Sequence, residues 1–198
     1  MYQAIGYALT RAFRMYWALE ELGVEYEYIN HKPASAEMKA VNPSGKVPAL
    51  KVGDVLLTDS CAIMTYLADK HGELTYPAGT LERARQDALM HQINDEMDAV
   101  LWTAARHTFV LPEDKRVPEV KDSLRWEFER NCERIADALQ GEFLMGDKMT
   151  VADILLAHCL NWATNAKFNF PRKELLDYRK RMISRPAFQR VLALEAKG

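Results

Sequence analysis

Apolar residues recur along this chain in two rhythms, and the change from one to the other divides it. A short apolar run over 2–6 ends at Gly6, and Ala12, Met15, Tyr16, Leu19 and Leu22 then follow at helical spacing, with Gly23 placed as the stop. Positions 24–30 alternate Val24, Tyr26 and Tyr28 with Glu25, Glu27 and Asn30, which predicts a strand. The polar stretch 31–45 leaves room for one helical turn over 35–41. Apolar runs at 47–52 and 55–57 flank Gly53-Asp54, a hairpin signal, and Asp59-Ser60 is placed to cap a helix carrying Ile63, Met64, Tyr66 and Leu67. The first 72 residues therefore predict β-α-β-α-β-β-α.

Beyond the polar linker 73–80, with Pro77, the pattern is helical to the end. Helices are expected over 81–107 and 117–139, the latter with Leu124, Phe128, Ile135 and Leu139 on one face. Thr150 and Asp153 form a variant capping box for another helix, and a last one starts near Pro186. The expected division is a first domain over 1–72, the linker, and an all-helical domain over 81–198.

Composition narrows the classes. A chain of 198 residues, 48% hydrophobic with four Trp and seven Phe, can fill cores, and its formal charge of -2, with both signs mixed along the chain, offers nucleic acid no basic face. The N-terminus lacks a basic region leading an apolar one, and no apolar run approaches a membrane span, so a cytoplasmic protein with no membrane partner is expected. Cys61, Cys132 and Cys159 are scattered, without CxxC or His/Cys clusters, so neither a disulfide framework nor a metal site is expected and each is read as a small buried residue.

Two short segments carry candidate chemistry. Proline in Val47-Pro48-Ala49-Leu50 cannot donate to a ladder; either it is a structural proline on an edge strand, or a cis Val47-Pro48 bond turns the Val47 backbone toward a peptide-like ligand. Thr58-Asp59-Ser60 begins a helix, where unpaired N–H groups and the dipole favour an anion. The segment either caps the helix or docks a carboxylate on the Ser60 hydroxyl and amide, with Asp59 answering an ammonium group.

Together, Gly45-Lys46-Val47-Pro48-Ala49-Leu50, Asp59-Ser60 before Ala62-Ile63 and Tyr66-Leu67, Thr150-Val151-Ala152-Asp153, and the Trp17-Ala18-Leu19-Glu20-Glu21-Leu22-Gly23 segment resemble the cytosolic glutathione transferase family, in order and over nearly the whole chain. The resemblance implies a thioredoxin-like N-terminal domain and an all-helical C-terminal domain. It implies that Val47 exchanges backbone hydrogen bonds with the cysteinyl part of glutathione, that Pro48 is the cis-proline, and that Asp59, where the family usually has Glu, and Ser60 hold the γ-glutamyl group. Lys46 either neutralises the glycyl carboxylate or is a solvated lysine. Thr150 and Asp153 match the family's structural capping box.

In that family the group that activates the thiol lies between the first strand and first helix, here Tyr7-Ala8-Leu9-Thr10-Arg11. Thr10 is the first candidate donor to the sulfur and Tyr7 the second; Arg11 either adds positive potential or lies on the surface. No cysteine lies in this loop, so mixed-disulfide chemistry by a protein thiol is not expected, and Cys61 is read as buried. An apolar electrophile pocket is expected between the domains, with Trp102, Arg106, His107 and Phe109 as wall residues and Trp162 and Phe168 closing it. The leading expectation is conjugation of glutathione to hydrophobic electrophiles, with glutathione as co-substrate and no metal or redox cofactor. A glutathione-dependent peroxidase or disulfide reductase, or a non-catalytic binding module, are the alternatives. The family also implies a homodimer, in which Asp95 or Asp98 reaches the partner's γ-glutamyl ammonium.

Overall fold

Four short strands, β1 (Tyr2–Ile5), β2 (Tyr26–Ile29), β3 (Ala49–Val52) and β4 (Val55–Thr58), form one mixed sheet in the order β2-β1-β3-β4. β1 runs parallel to β2 and antiparallel to β3, with Ile5 opposite Ala49, and β3 and β4 make the expected hairpin. In this computed structural model, residues 1–139 and 141–195 are described. Position 140 and the last three positions of the expected 81–198 domain lie outside the described residues. The chain divides into two units, one of residues 1–80 together with those from Ser184 onward, and one of Leu81–Ile183.

In the first unit, helix α1 (Phe13–Leu22) has every residue from Phe13 to Leu19 buried, so it is enclosed on all sides. It ends as expected at Gly23, left-handed at φ 63°, where the Gly23 and Val24 N–H groups bond back to Glu20 and Leu19. Val24 thus closes the helix, and β2 begins two residues later than the alternation predicts. Helix α2 (Ala36–Val41) is capped by the Ser35 side chain, which accepts from Met38 N–H. Helix α3 (Ser60–His71) follows β4 directly.

The last helix, α9 (Pro186–Glu195), groups with this unit and not with the helical region that precedes it in sequence. The Phe188 ring lies 4.8 Å from that of Phe13 and 4.9 Å from that of Trp17, and Arg185 pairs in bidentate fashion with Glu21, at 2.6 and 2.8 Å. Glu21 also accepts from the Trp17 indole at 2.9 Å, so one carboxylate ties α9 to the enclosed face of α1. Packing against α1 outweighs sequence adjacency.

The second unit is helical throughout. Helix α4 (Leu81–Ile93) runs through a wider turn (Asn94–Asp98) into α5 (Ala99–Ala105) and a second wider turn (Arg106–Val110), where 81–107 was expected as one helix. Helices α6 (Val120–Ala138), α7 (Val151–Asn165) and α8 (Lys173–Ile183) complete it. Ten residues of α7 are buried, which makes it the central helix of this unit. At its start the buried Asp153 carboxylate accepts from the Thr150 N–H and the Leu144 N–H, both at 2.8 Å, from the Thr150 hydroxyl at 3.1 Å and from the Tyr178 hydroxyl at 2.9 Å. Burial pushes the carboxyl's pKa up, against the pull of those bonds. Cys132 and Cys159 are buried as expected, and burial pushes the Cys132 thiol up, whereas Cys61 is only half-buried.

Candidate functional site

The site begins where β1 ends. Gly6, at φ 148°, donates to Ile29 O at 2.9 Å, and a Cβ there would sit 2.9 Å from the Ala12 Cβ and 3.2 Å from the Val47 Cβ. Only glycine allows so close an approach, which sets the loop 7–11 beside the segment entering β3. The Tyr16 hydroxyl reaches the carbonyls of Ala4 and Gly6 at 3.1 and 2.8 Å, and burial pushes its pKa up. Tyr16 therefore acts as a neutral donor that fixes the strand end to α1.

Within the loop, Thr10 is extended (φ -124°, ψ -165°), and its Oγ1 accepts from the Ala12 N–H at 3.1 Å. Thr10 is therefore an N-cap leading into α1. Its hydroxyl donates to the Tyr7 carbonyl at 2.6 Å, where donation to a ligand sulfur was expected. The same carbonyl also takes the Thr10 N–H at 3.2 Å. The half-buried Tyr7 contributes this carbonyl, and its ring lies 6.0 Å from the Lys32 ammonium.

The Val47-Pro48 bond is cis. Ahead of it, the Asn42 side chain accepts from the Ser44 N–H at 3.2 Å and donates to the Lys46 carbonyl at 3.0 Å, while Gly45 O accepts from Ala34 N–H at 2.8 Å. This turn anchors the approach to Val47. Among the described residues neither the N–H nor the C=O of Val47 has a hydrogen-bond partner. The Lys46 side chain is exposed, and no described carboxylate pairs with it.

At the start of α3, both expectations for Asp59-Ser60 find physical support. Asp59 caps the helix, its Oδ1 accepting from the Cys61 and Ala62 N–H groups at 2.9 and 3.0 Å, and it does so from a left-handed backbone, φ 72°, that non-glycine residues seldom adopt. Ser60 is 3% exposed, yet neither its hydroxyl proton nor its N–H has an acceptor among the described residues. Its Oγ accepts from the Arg14 guanidinium at 3.3 Å, and Arg14 is itself only 1% exposed. Arg14 escapes the sequence reading, and Tyr16 is read there only as an apolar helix position, because both lie on an enclosed helix; a buried arginine in an otherwise apolar run, Phe13 to Leu19, was the available signal.

The expected electrophile-pocket residues all belong to the second unit. Trp102 is half-buried on α5, Arg106 donates to Thr103 Oγ1 at 3.2 Å, and Phe109 is 68% exposed. The Arg106 Nε is buried without a hydrogen-bond partner. His107 accepts the Val117 N–H on Nδ1 at 3.0 Å, which fixes it as a brace for the chain after α5. Asp98 is buried within its own chain and Asp95 is exposed. No group of three or more His, Cys, Asp and Glu residues among those described could hold a metal ion, and no described helix is long and apolar enough to cross a membrane.

Comparison with known proteins matches residues 11–70 to the glutathione S-transferase N-terminal domain and 93–186 to the glutathione S-transferase C-terminal domain. The glutathione S-transferase GstA of Escherichia coli O157:H7 is 33% identical over 161 residues, covering 79% of this chain and 77% of that one. The chain belongs to the glutathione S-transferase family. Solved structures similar to this family member at 26% identity include two glutathione transferases. A glutathione transferase from Methylococcus capsulatus has a TM-score of 0.85 over the full length of both chains. The glutathione transferase URE2P6 from Phanerochaete chrysosporium, in complex with oxidized glutathione, has a TM-score of 0.84 over 99% of this chain and 96% of that one. The mixed sheet with its helices, followed by the helical unit, is the thioredoxin-like and all-helical pair characteristic of the family.

Proposed function

We propose that the protein is a glutathione transferase that binds glutathione along its first unit, stabilises the thiolate, and adds it to a hydrophobic electrophile. The observation that carries the binding half is the set of unused backbone and hydroxyl groups in one unit: the Val47 N–H and C=O, and the buried Ser60 N–H and O–H. Buried donors normally have partners, so these are suited to a ligand that brings a peptide unit and a carboxylate. In this reading Val47, beside Pro48, pairs with the cysteinyl backbone, Ser60 receives the γ-glutamyl carboxylate, and the exposed Asp59 answers its ammonium. The exposed Lys46 answers the glycyl carboxylate in the same reading.

The sulfur is then held near the start of α1. A free thiol with a pKa near 8.5 is only a few per cent ionised at neutral pH, so activation means lowering that value. Thr10 is the proposed donor. Its hydroxyl now serves a carbonyl that already takes the Thr10 N–H, so turning it to the sulfur leaves that carbonyl with a partner. A bond to an anion is also roughly twice as strong as one to a neutral acceptor. The positive end of α1 adds to the effect. The thiolate attacks an electrophilic carbon, and either a leaving group departs with its electron pair or the adjacent carbon takes up a proton.

Trp102, Arg106 and Phe109 are the proposed contacts for the electrophile. Glutathione serves as co-substrate, and the chemistry asks for no metal or redox cofactor. We place the protein in the cytoplasm as a detoxifying homodimer, with Asp95 as the acidic residue offered to the partner's γ-glutamyl ammonium. Spectroscopic titration of the bound thiol tests the central claim: binding of glutathione with a thiol pKa well below 8.5 supports it, and an unshifted pKa overturns the activation step. Turnover of an aryl halide or an activated alkene tests conjugation.

A further inference from the structure

Helix α5, which carries Trp102, is bracketed by the two wider turns, Asn94–Asp98 before it and Arg106–Val110 after it. At the first of them the Ala99 N–H donates to Asn94 O, five residues back in place of four. A turn with one residue more than an α-turn rotates everything after it by about 100°. Leu101, Ala104 and Ala105 are thereby buried, while Trp102 and Arg106, one turn apart, stay half-buried. An unbroken α-helix through the same residues would carry Leu101 and Ala105 into the places of Trp102 and Arg106.

The brace for this turn comes from α6. Its buried stripe runs Leu124, Phe128, Asn131, Cys132 and Ile135, so Asn131, 1% exposed, is an amide among apolar positions. Its Nδ2 donates to the Glu96 carbonyl, inside the wider turn, at 2.6 Å, and its Oδ1 accepts from Arg134 at 2.8 Å. A carbonyl only accepts and a guanidinium only donates, so the two bonds fix which end of the amide faces which. Arg134 also pairs with the Glu96 carboxylate at 2.8 Å, and the other oxygen of that carboxylate accepts from Gln92 at 3.0 Å. Glu96 is held by backbone and side chain at once, and a side chain bonded into a helix ladder is a recognised cause of an irregular turn.

We infer that Asn131 is a positioning residue for the electrophile: by donating to the Glu96 carbonyl it holds the wider turn, which sets the phase of α5 and keeps Trp102 and Arg106 on the face where Leu101 and Ala105 would otherwise stand. Asn131 lies in the core and acts through α5. The inference rests on the reading above, in which Trp102 and Arg106 contact the electrophile. It makes Asn131 a determinant of electrophile affinity that leaves glutathione affinity untouched.

The experiment is calorimetric titration of the full-length protein with glutathione and with S-hexylglutathione, whose alkyl chain takes the electrophile's place in that reading. Wild type should bind S-hexylglutathione at least about tenfold more tightly, through burial of its methylene groups. Asn131→Leu, which keeps the buried stripe of α6 apolar, should cut that advantage about fivefold and leave glutathione affinity unchanged. Asn131→Gln, with the same donor on a longer arm, should recover part of the loss. Amide hydrogen exchange at Ala99 should quicken in Asn131→Leu and less so in Asn131→Gln. Thermal melting checks that each variant folds; if Asn131→Leu does not, Arg134→Met, at a side chain 44% exposed, takes its place, with about a twofold loss expected for S-hexylglutathione only. Equal weakening of both ligands, or an undiminished hexyl advantage in the folded variants, overturns the inference while the glutathione site stands. A wild type that gains nothing from the hexyl chain removes the reading of the electrophile contacts and this inference with it.

Discussion

Helices α3 and α7 both start on a carboxylate that takes backbone N–H groups, yet the two starts differ in what they leave over. At α7, Asp153 is buried and four donors of its own unit converge on it. At α3, the carboxylate of Asp59 stays exposed and takes two N–H groups, while the buried Ser60 beside it keeps an N–H and an O–H without acceptors among the described residues. A completed cap stabilises the fold; an incomplete one, held from a strained backbone, is available to a ligand.

The sharpest break of this contrast is Asp153→Ala. It strips the Leu144 and Thr150 N–H groups of their buried acceptor, at roughly 2 kcal/mol each, so unfolding in urea should show a loss of about 4 kcal/mol. Glutathione affinity of the folded fraction should hold. Ser60→Ala should do the reverse: about 1 to 3 kcal/mol of glutathione binding lost by calorimetry, with the unfolding midpoint little changed. If Ser60→Ala instead destabilises the fold and spares the affinity, α3 is a structural start like α7.

Thr10→Ala comes next. It should raise the pKa of the bound thiol by about one unit, equivalent to about 1.4 kcal/mol, with Thr10→Ser restoring it and Tyr7→Phe without effect. An unchanged thiol in Thr10→Ala would leave Thr10 as an N-cap alone, worth about 1 kcal/mol of stability.

The smallest effect concerns pH. Burial holds the folded pKa of Asp153 above its ordinary 3.8, so the folded state retains a proton that the unfolded state releases. The residue's contribution is therefore greatest below about pH 4 and is lost as pH rises through the folded value. The unfolding free energy of wild type minus that of Asp153→Asn should fall with pH from about 4 upward. A difference that climbs would mean that the hydrogen bonds outweigh burial.

Local rules made much of this legible from sequence. Gly23 stops α1, Gly53-Asp54 turns the hairpin, and Asp59 and Asp153 stand at helix starts because the residues that satisfy each backbone are close in sequence. The Val47-Pro48 segment and Ser60 were visible as alternatives, and the structure supplied their unused groups. What escaped depends on distant partners. Arg14 meets Ser60 across 46 positions, and Arg185 meets Glu21 across 164, separations that no periodicity reveals. The direction of the Thr10 hydroxyl was hidden for a different reason: the loop bends at Leu9 and Thr10, and only the bent backbone brings the Tyr7 carbonyl within reach.

The placement of α9 bears on the order in which the molecule can be made. The ribosome delivers the sheet and α1 before residues 81–183, but Phe13, Trp17 and Glu21 then await Phe188 and Arg185, which leave the exit tunnel after those residues. The contiguous unit of Leu81–Ile183 has no such wait. Synthesis from the N-terminus thus favours completing residues 81–183 before the unit that contains the sheet, and a ribosome stalled before Arg185 would present a nascent chain whose sheet unit still exposes aromatic surface to chaperones.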